Sequence, residues 1–287
     1  MYFKLKNYLE LIRLNKPIGI FLLLWPTLWA IWLASNGDPS IKITLIFITG
    51  TVIMRSLGCI INDLADKDID KHVKRTQNRP LTSGRVSSKE AIVIFALLLL
   101  CAFILVLQLN RLTIFLAFIG AGLTIIYPFL KRITHLPQTV LGLAMSWGIP
   151  MAYAAIQNHV PAVAWLLFFS ACCWTIAYDT MYAMVDKEDD MLIGVKSTAI
   201  LFGHYDRLII FFLEVLFLSL LLCVAWIMQL HHYFYLATFL AMLMVAEQMK
   251  LIHHRSRKDC LQAFINNHWI GLIIFVGIFI SLDCRLS

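Results

Sequence analysis

The residues best suited to chemistry are acidic and lie in two short stretches. The first, INDLADKDIDKHVKRTQNRPLTSG at residues 61–84, contains four aspartates and five lysines or arginines. At 100° per residue, Asn62, Asp63, Asp66 and Asp70 would share a helix face within an arc of about 100°, and Asp68 would be directed away from it. One face would therefore carry four oxygen-bearing side chains.

The second stretch, YDTMYAMVDKEDD at residues 178–190, repeats this pattern. Asp179, Asp186 and Asp190 would lie within about 40° of one another on a helix, and Asp189 would lie to one side. The chain therefore offers two acidic faces.

Any single aspartate would be interpreted as part of a solvated loop end, but the two clusters together favour a bound cation. Like charges stacked on one helix face repel each other unless a cation lies between them. Oxygen ligands without His or Cys indicate Mg²⁺ or Ca²⁺, and Mg²⁺ prefers one or two carboxylates together with waters and substrate phosphates. The basic residues in KHVKRTQNRP and in KR at residues 131–132 would suit the remaining phosphate oxygens. A magnesium-bridged diphosphate explains why acids and bases occur together.

Composition shows which elements must position these residues. Only 14% of the 287 residues are charged and 60% are hydrophobic, whereas a water-soluble protein has about 25% charged residues. At about 20 residues per crossing, the chain has room for about nine spans. The sequence predicts an all-α integral membrane protein in which helices at these positions form a bundle: 18–35, 43–62, 91–110, 112–130, 136–157, 162–181, 208–228, 233–249 and 261–281.

The charges between these spans predict the orientation. With the N-terminus in the cytoplasm, most of the 24 lysines and arginines fall on the cytoplasmic side, and only Lys42, Arg111 and Arg285 fall on the other. The positive charge then belongs to a membrane surface, and neither a nucleic-acid partner nor an obligate protein partner is indicated.

Two long charged loops, at residues 63–89 and 186–207, each begin with an acidic cluster, and four spans separate them. We therefore expect one domain over residues 1–287, with four-helix halves at about 13–135 and 136–255 and a final helix. An ion-coupled transporter is the alternative from another functional class, but it would place charges near the membrane midplane rather than at one mouth.

These motifs resemble those of a known family. The stretch NDLADKDIDKHVKRTQNRPLTSG resembles the NDxxDxxxD signature of the UbiA-type intramembrane prenyltransferases, and YDTMYAMVDKEDDMLIGVKSTAILFG resembles their second DxxxD signature. Further matches at LNKPIGIFLLLWPTLWA and YPFLKRITHLPQ make the chain most similar to the 4-hydroxybenzoate polyprenyltransferases of ubiquinone synthesis. The resemblance runs from about residue 13 to residue 203.

The resemblance implies a central cavity capped by cytoplasmic loops, in the bacterial inner membrane. There a polyprenyl group would pass from its diphosphate to the ring carbon ortho to the hydroxyl of 4-hydroxybenzoate, with Mg²⁺ as cofactor; a naphthoate or haem acceptor is the alternative. The catalytic acids would be Asp66, Asp70, Asp186 and Asp190. The metal ligands would be Asn62, Asp66 and Asp70 on one side and Asp179, Asp186 and Asp190 on the other, with Asp63 as a further candidate. The candidates for the diphosphate oxygens would be Arg75, Arg79, Lys131 and Lys196.

Three further residues receive roles by position. Tyr127 and Tyr182 either stabilise a carbocation through their ring faces or belong to the interfacial aromatic belt. Arg55 lies two helical turns before Asn62, about 10 Å deeper in the membrane. Because a charge within a span is functional or paired, Arg55 is predicted to bind the acceptor carboxylate, with a salt bridge to Glu214 as the alternative. Glu214 is otherwise expected to reach the lipid headgroups.

Overall fold

The computed structural model of the protein describes residues 2–72, 75–130 and 132–286, and all regular secondary structure in these ranges is helical. The helices are α1 (Tyr2–Leu11), α2 (Ile18–Ala34), α3 (Ile41–Ala65), α4 (Ser88–Val106), α5 (Arg111–Leu130), α6 (Pro137–Ser146), α7 (Gly148–Gln157), α8 (Ala162–Ile193), α9 (Thr198–Phe202), α10 (Asp206–Met228), α11 (His232–Leu251) and α12 (Arg257–Leu286).

Ten of these helices form the nine predicted spans. Eight helical segments in the described ranges are long and apolar enough to cross a membrane, and α2 is a shorter apolar helix of 17 residues. Helices α6 and α7 meet at Trp147 and together form the span predicted at residues 136–157. The prediction of a membrane protein with about nine helices is confirmed.

The prediction was wrong about where the second charged loop begins. Helix α8 continues to Ile193, 12 residues beyond the predicted end at residue 181, so Asp186 and Asp190 lie on a helix. Ala183, Met184 and Val185 are buried in this extension, against a cluster that includes residues of α9, α10 and α12. This apolar packing keeps the chain helical after it leaves the predicted span, because tertiary contacts supply most of the stability of a helix.

In the first acidic stretch the helix passes the predicted span end at residue 62 by three residues, but it stops before Asp66 and Asp70. Helix α3 ends at Ala65, Asp66 is its C-terminal cap, and Asp70 begins a short 3₁₀ turn. The expected helical face therefore does not extend through Asp70, although the Asp70 N–H donates to the Asp66 carbonyl at 2.8 Å. Aspartate is a poor helix former, and the chain beyond Ala65 has few apolar residues to pack.

Aromatic side chains form the centre of the bundle. The ring centroids of Trp29 and Trp174 are 5.4 Å apart, and Trp174 stacks on Phe217 at 5.6 Å. The Trp174 indole N–H donates to the Asn267 side-chain oxygen at 2.8 Å, so the polar atom of this buried ring is satisfied. This cluster joins helices α2, α8, α10 and α12.

The opposite side of the bundle is more open. Helix α4 has only one buried residue, Ala91, among its described side chains. It begins with a capping box in which Ser87 and Glu90 exchange hydrogen bonds, and Glu90 also accepts from the Tyr8 hydroxyl of α1 at 2.9 Å. A cavity remains between α4 and the rest of the bundle.

Candidate active site

A cavity of about 900 Å³ runs from the charged segments to the apolar far ends of α3 and α4. At one end it is lined by the two acidic stretches, and further in by apolar residues such as Leu100, Phe103 and Met151. All the predicted site residues that the structure describes line this cavity: Asn62, Asp63, Asp66, Asp70, Asp179, Asp186, Asp190, Arg55, Arg75, Arg79, Tyr127, Tyr182 and Lys196. Lys131 lies outside the described residues.

On the first wall, Arg79 holds two carboxylates together. Its Nη1 atom lies 3.0 Å from Asp63 and 2.6 Å from Asp70. Burial raises the pKa of the Asp70 carboxyl above its usual value, and the Arg79 guanidinium opposes that shift. Thr76 also donates its hydroxyl to the Asp70 carbonyl at 3.1 Å. The 3₁₀ turn that carries Asp70 is thus fixed by residues of the following loop.

Arg13 is a cavity residue to which the sequence analysis gave no role. Its Nη2 atom donates to both Asp63 oxygens, at 2.8 and 3.1 Å. The Asp63 side chain has 0% exposure and therefore lies enclosed between Arg13 and Arg79. Arg13 belongs to the short basic segment RLNK before α2, whose Lys16 also lines the cavity. The signal that could have identified them was their position beside the motif LNKPIGIFLLLWPTLWA, since Arg13 directly precedes it and Lys16 lies within it.

On the second wall, Arg75 from the first loop binds Asp186 of α8. Its Nη2 atom lies 2.5 Å from the Asp186 Oδ2, and its Nε donates to Oδ1 at 3.0 Å. The guanidinium carbon also lies 4.8 Å from the centre of the Tyr182 ring, a distance suited to cation–π attraction. Tyr182 packs against Phe264 at 4.7 Å. The two acidic stretches, more than 100 positions apart in the sequence, are therefore joined across the mouth of the cavity.

Lys196 lies on the same rim. Its ammonium group donates to the Ile133 carbonyl at 3.0 Å, which connects the segment after α8 to the segment after α5. The ammonium group has two further hydrogens. Lys196 therefore stabilises the rim and also presents positive charge to the cavity.

Arg55 lies deeper, on the α3 wall of the cavity. Its guanidinium packs directly on Gly19 of α2, where a Cβ atom would overlap it. Glycine at position 19 thus leaves the space that the guanidinium occupies.

The alternative ion pair between Arg55 and Glu214 does not form. Glu214 has 0% exposure, and within the described ranges its carboxylate oxygens accept no hydrogen bond. No carboxylate of the described residues lies within ion-pair distance of Arg55. The expectation that Glu214 reaches the headgroups was also wrong, because Glu214 packs inside the bundle.

The oxygen ligands at the mouth fit Mg²⁺ only as a partial coordination shell. Among the described residues, no three of His, Cys, Asp and Glu lie close enough together to form a metal site by themselves. Asp63, Asp70 and Asp186 contact guanidinium groups instead. This arrangement suits Mg²⁺, which binds through one or two carboxylates and completes its octahedron with waters and substrate phosphates.

Comparison with known proteins gives the family. The model of the UbiA prenyltransferase family matches residues 23–273. The chain belongs to the UbiA prenyltransferase family. The match extends well beyond residue 203, where the motif resemblance ended, and includes α10, α11 and most of α12.

Relatives in this UbiA family cover nearly the whole chain. The 4-hydroxybenzoate octaprenyltransferase of Coxiella burnetii (strain RSA 493 / Nine Mile phase I) is 57% identical over 278 residues, 97% of each chain. That of Vibrio atlanticus (strain LGP32) is 52% identical over 97% of this chain and 98% of its own.

Solved structures show the same fold. The apo UbiA homologue from Aeropyrum pernix K1 superposes with a TM-score of 0.80 at 24% identity, over 91% of this chain and 97% of its own. A UbiA homologue from Archaeoglobus fulgidus bound to GPP and Mg²⁺ has a TM-score of 0.73 at 17% identity, over 96% and 99%.

Proposed function

We propose that this protein transfers a polyprenyl group from a polyprenyl diphosphate to the ring carbon ortho to the hydroxyl of 4-hydroxybenzoate, a membrane step of ubiquinone synthesis. Relatives at 52–57% identity are named 4-hydroxybenzoate octaprenyltransferase. The observation that carries the proposal is the cavity itself, which is charged at its mouth, apolar over most of its length, and supplied with one deep arginine. These features match a diphosphate, a hydrocarbon chain and an aromatic carboxylate.

At the mouth, Asn62, Asp66, Asp70, Asp179, Asp186 and Asp190 would hold Mg²⁺ together with the diphosphate. Bound Mg²⁺ supplies positive charge that stabilises the departing diphosphate. The GPP and Mg²⁺ of the Archaeoglobus fulgidus homologue belong to that protein; here the proposal rests on the chemistry of the oxygen donors.

The guanidinium contacts suggest how the site accepts its substrate. Arg75 and Arg79 now neutralise Asp186 and Asp70. We propose that each arginine exchanges part of its carboxylate contact for diphosphate oxygens, which its planar set of N–H groups suits, and so leaves the carboxylate oxygens to the metal. Lys131 and Lys196 are further candidates for the diphosphate. Asp63 remains between Arg13 and Arg79, so we now assign it the positioning of Arg79 rather than metal binding.

The transfer itself breaks one bond and forms another. The allylic carbon–oxygen bond breaks with its electron pair on the diphosphate, and the ring carbon then attacks the carbocation and forms the carbon–carbon bond. Loss of the ring proton restores aromaticity. Apolar walls exclude water from the cation, and the Tyr127 ring lines the same cavity. Tyr182 already faces the Arg75 guanidinium, and we propose that it positions Arg75.

Arg55 is proposed to bind the acceptor carboxylate. It lines the cavity, and no described carboxylate neutralises it. A guanidinium offers a carboxylate two parallel hydrogen bonds, which fix both position and orientation. This would direct the hydroxylated side of the ring towards the mouth of the cavity.

The membrane location and orientation of the chain are part of the same proposal. The chain is an integral membrane protein, and we propose that it lies in the bacterial inner membrane with its N-terminus and the cavity mouth in the cytoplasm, following the distribution of Lys and Arg. We further propose that the halves at about 13–135 and 136–255 each supply one acidic wall.

The test uses purified protein in detergent with Mg²⁺, a prenyl diphosphate and 4-hydroxybenzoate, with products identified by mass. We expect a product in which one prenyl group replaces one ring hydrogen, and one diphosphate released for each product. A hydroxynaphthoate and haem serve as competing acceptors in parallel reactions. Prenylation of either competitor with no 4-hydroxybenzoate product would refute the acceptor assignment.

A further inference from the structure

A second groove, separate from the central cavity, lies where α10 begins and α11 ends. Its volume is about 350 Å³, and it is lined by His204, Arg207, Leu208, Phe211, Met249 and His253. None of these residues lines the central cavity. The groove is therefore distinct from the proposed transfer site.

The groove is basic along one edge. The Nη1 group of Arg207 donates to the His253 ring Nδ1 at 2.7 Å and to the His253 carbonyl at 3.0 Å. The Arg207 Nε also forms no hydrogen bond with the described residues, but this atom is buried and is not offered to a ligand. Because the Nδ1 of His253 accepts from arginine, its Nε2 carries the ring proton and can donate. Arg207 and His253 thus form a hydrogen-bonded pair that leaves the His253 Nε2–H for a ligand.

The nearest acid does not neutralise this edge. Asp206 has 0% side-chain exposure and is paired with Arg255 at 2.7 Å and with Lys187 at 3.4 Å. Arg255 also donates to the His204 carbonyl at 3.0 Å, which fixes the backbone at the groove. No described carboxylate lines the groove or forms an ion pair with Arg207. The positive charge of Arg207 is therefore available to an anion.

The floor of the groove is apolar and continues onto the outer surface of α10. Leu208 and Phe211 are 49% and 45% exposed, and neighbouring Phe212 is 60% exposed. Since α10 crosses the membrane, this surface faces hydrocarbon chains. Because the groove lies at the ends of two spans, we place it at the level of the lipid headgroups. It is at the same end of the bundle as the cavity mouth, because Lys187, which follows the mouth residue Asp186, contacts Asp206 at the start of α10.

From this juxtaposition we propose that the groove binds one anionic glycerophospholipid. Its phosphate would contact Arg207 and the two histidines, and an acyl chain would lie along Leu208 and Phe211. Basic pockets between transmembrane helices suit anionic headgroups, and the apolar floor favours a lipid over free phosphate. The lipid would stabilise the junction of α10 and α11.

The experiment measures lipid binding to the full-length protein by native mass spectrometry from a neutral detergent. Phosphatidylglycerol and phosphatidylcholine of matched chains are the probes. We expect preferential binding of phosphatidylglycerol, with affinity lowered about fivefold in Arg207→Gln, since one basic residue near a membrane surface contributes about that factor. The matched control is Lys250→Gln, because Lys250 is also basic and near the end of α11 but is 77% exposed and paired with Glu247.

A second variant is needed because Arg207→Gln removes the contact with His253 as well as the charge. We choose His204→Glu. The His204 residue is exposed, so the fold should tolerate the change, and the new carboxylate should abolish the preference for phosphatidylglycerol. Equal losses in Arg207→Gln and Lys250→Gln would show diffuse surface charge instead of a site. Thermal unfolding is measured in parallel, and equal stabilisation of the protein by inorganic phosphate and by phosphatidylglycerol would show a free-phosphate site. Unchanged phosphatidylglycerol affinity in both groove variants would also overturn the proposal.

Discussion

Replacing Arg55 by alanine should impair recognition of the aromatic acceptor far more than recognition of the prenyl diphosphate. Arg55 lines the cavity away from the acidic mouth, and no described carboxylate neutralises it. Its removal therefore leaves the diphosphate contacts of the mouth intact. The apparent KM for 4-hydroxybenzoate should rise, and that for the prenyl diphosphate should stay nearly constant.

The size of the effect follows from the surroundings of the guanidinium. Removing one partner of a desolvated charge pair costs about 2–5 kcal/mol. Arg55 is only partly buried and faces an open cavity, so part of its solvation is retained before the acceptor binds. We expect the lower limit, about 2 kcal/mol, which corresponds to roughly a thirtyfold increase in the acceptor KM.

Two further variants separate charge from geometry. Arg55→Lys should recover only part of the loss, because a single ammonium cannot reproduce the paired hydrogen bonds of the guanidinium. Gly19→Ala keeps every charge, but its Cβ would displace the Arg55 guanidinium, so it should also raise the acceptor KM. Glu214→Gln is the control, since Glu214 is buried in the described bundle without a hydrogen-bond partner.

The assay is steady-state transfer with one substrate varied while the other is saturating, together with thermal unfolding of each variant in detergent. An unchanged acceptor KM in Arg55→Ala would remove Arg55 from the acceptor site. A loss of thermal stability in Arg55→Ala, with both KM values unchanged, would instead indicate a structural role for Arg55.

Three other predictions address the mouth and the topology. Asp66→Ala and Asp186→Ala should each lower turnover by at least about tenfold, because each wall is proposed to hold the metal that stabilises the leaving diphosphate. The control is Asp68→Ala, since the Asp68 side chain is 89% exposed, and near-normal turnover of Asp66→Ala or Asp186→Ala at saturating Mg²⁺ would refute the shared site. Arg13→Ala should lower the free energy of unfolding by about 2 kcal/mol, which is less than the 3–5 kcal/mol lost when a fully buried ion pair is broken, because Arg79 still contacts the same aspartate. An unchanged melting temperature would contradict this. In a cysteine-free background, a cysteine at position 68 should react only with reagent supplied to the cytoplasmic side and one at Asn158 only from the other side, and the reverse pattern would invert the proposed orientation.

Much of the architecture could be predicted because a membrane imposes a strict relation between sequence and structure. A span needs about 20 apolar residues and must satisfy its own backbone hydrogen bonds as a helix. The lengths and positions of the apolar stretches therefore gave nine segments that the structure confirms. The spacing of Asp179, Asp186 and Asp190 likewise predicted a common helix face, and α8 contains all three.

The ends of the helices outside the lipid followed other rules. There water can satisfy the backbone, so a helix continues only where its side chains pack. The buried Ala183, Met184 and Val185 extend α8, whereas α3 stops at Ala65 before the polar run. These partners come from distant parts of the chain, and no local pattern reveals them.

The sequence by itself determined the residue types at the site, their two acidic clusters and their placement at one membrane face. Only the tertiary structure decided which charges pair. Asp63 lies between Arg13 and Arg79, Arg75 reaches Asp186 from a different segment, and Arg55 packs on Gly19 instead of binding Glu214. Apolar periodicity is a local property of the chain and constrains each helix separately, whereas an ion pair depends on distances between helices that are set by the packing of the whole bundle.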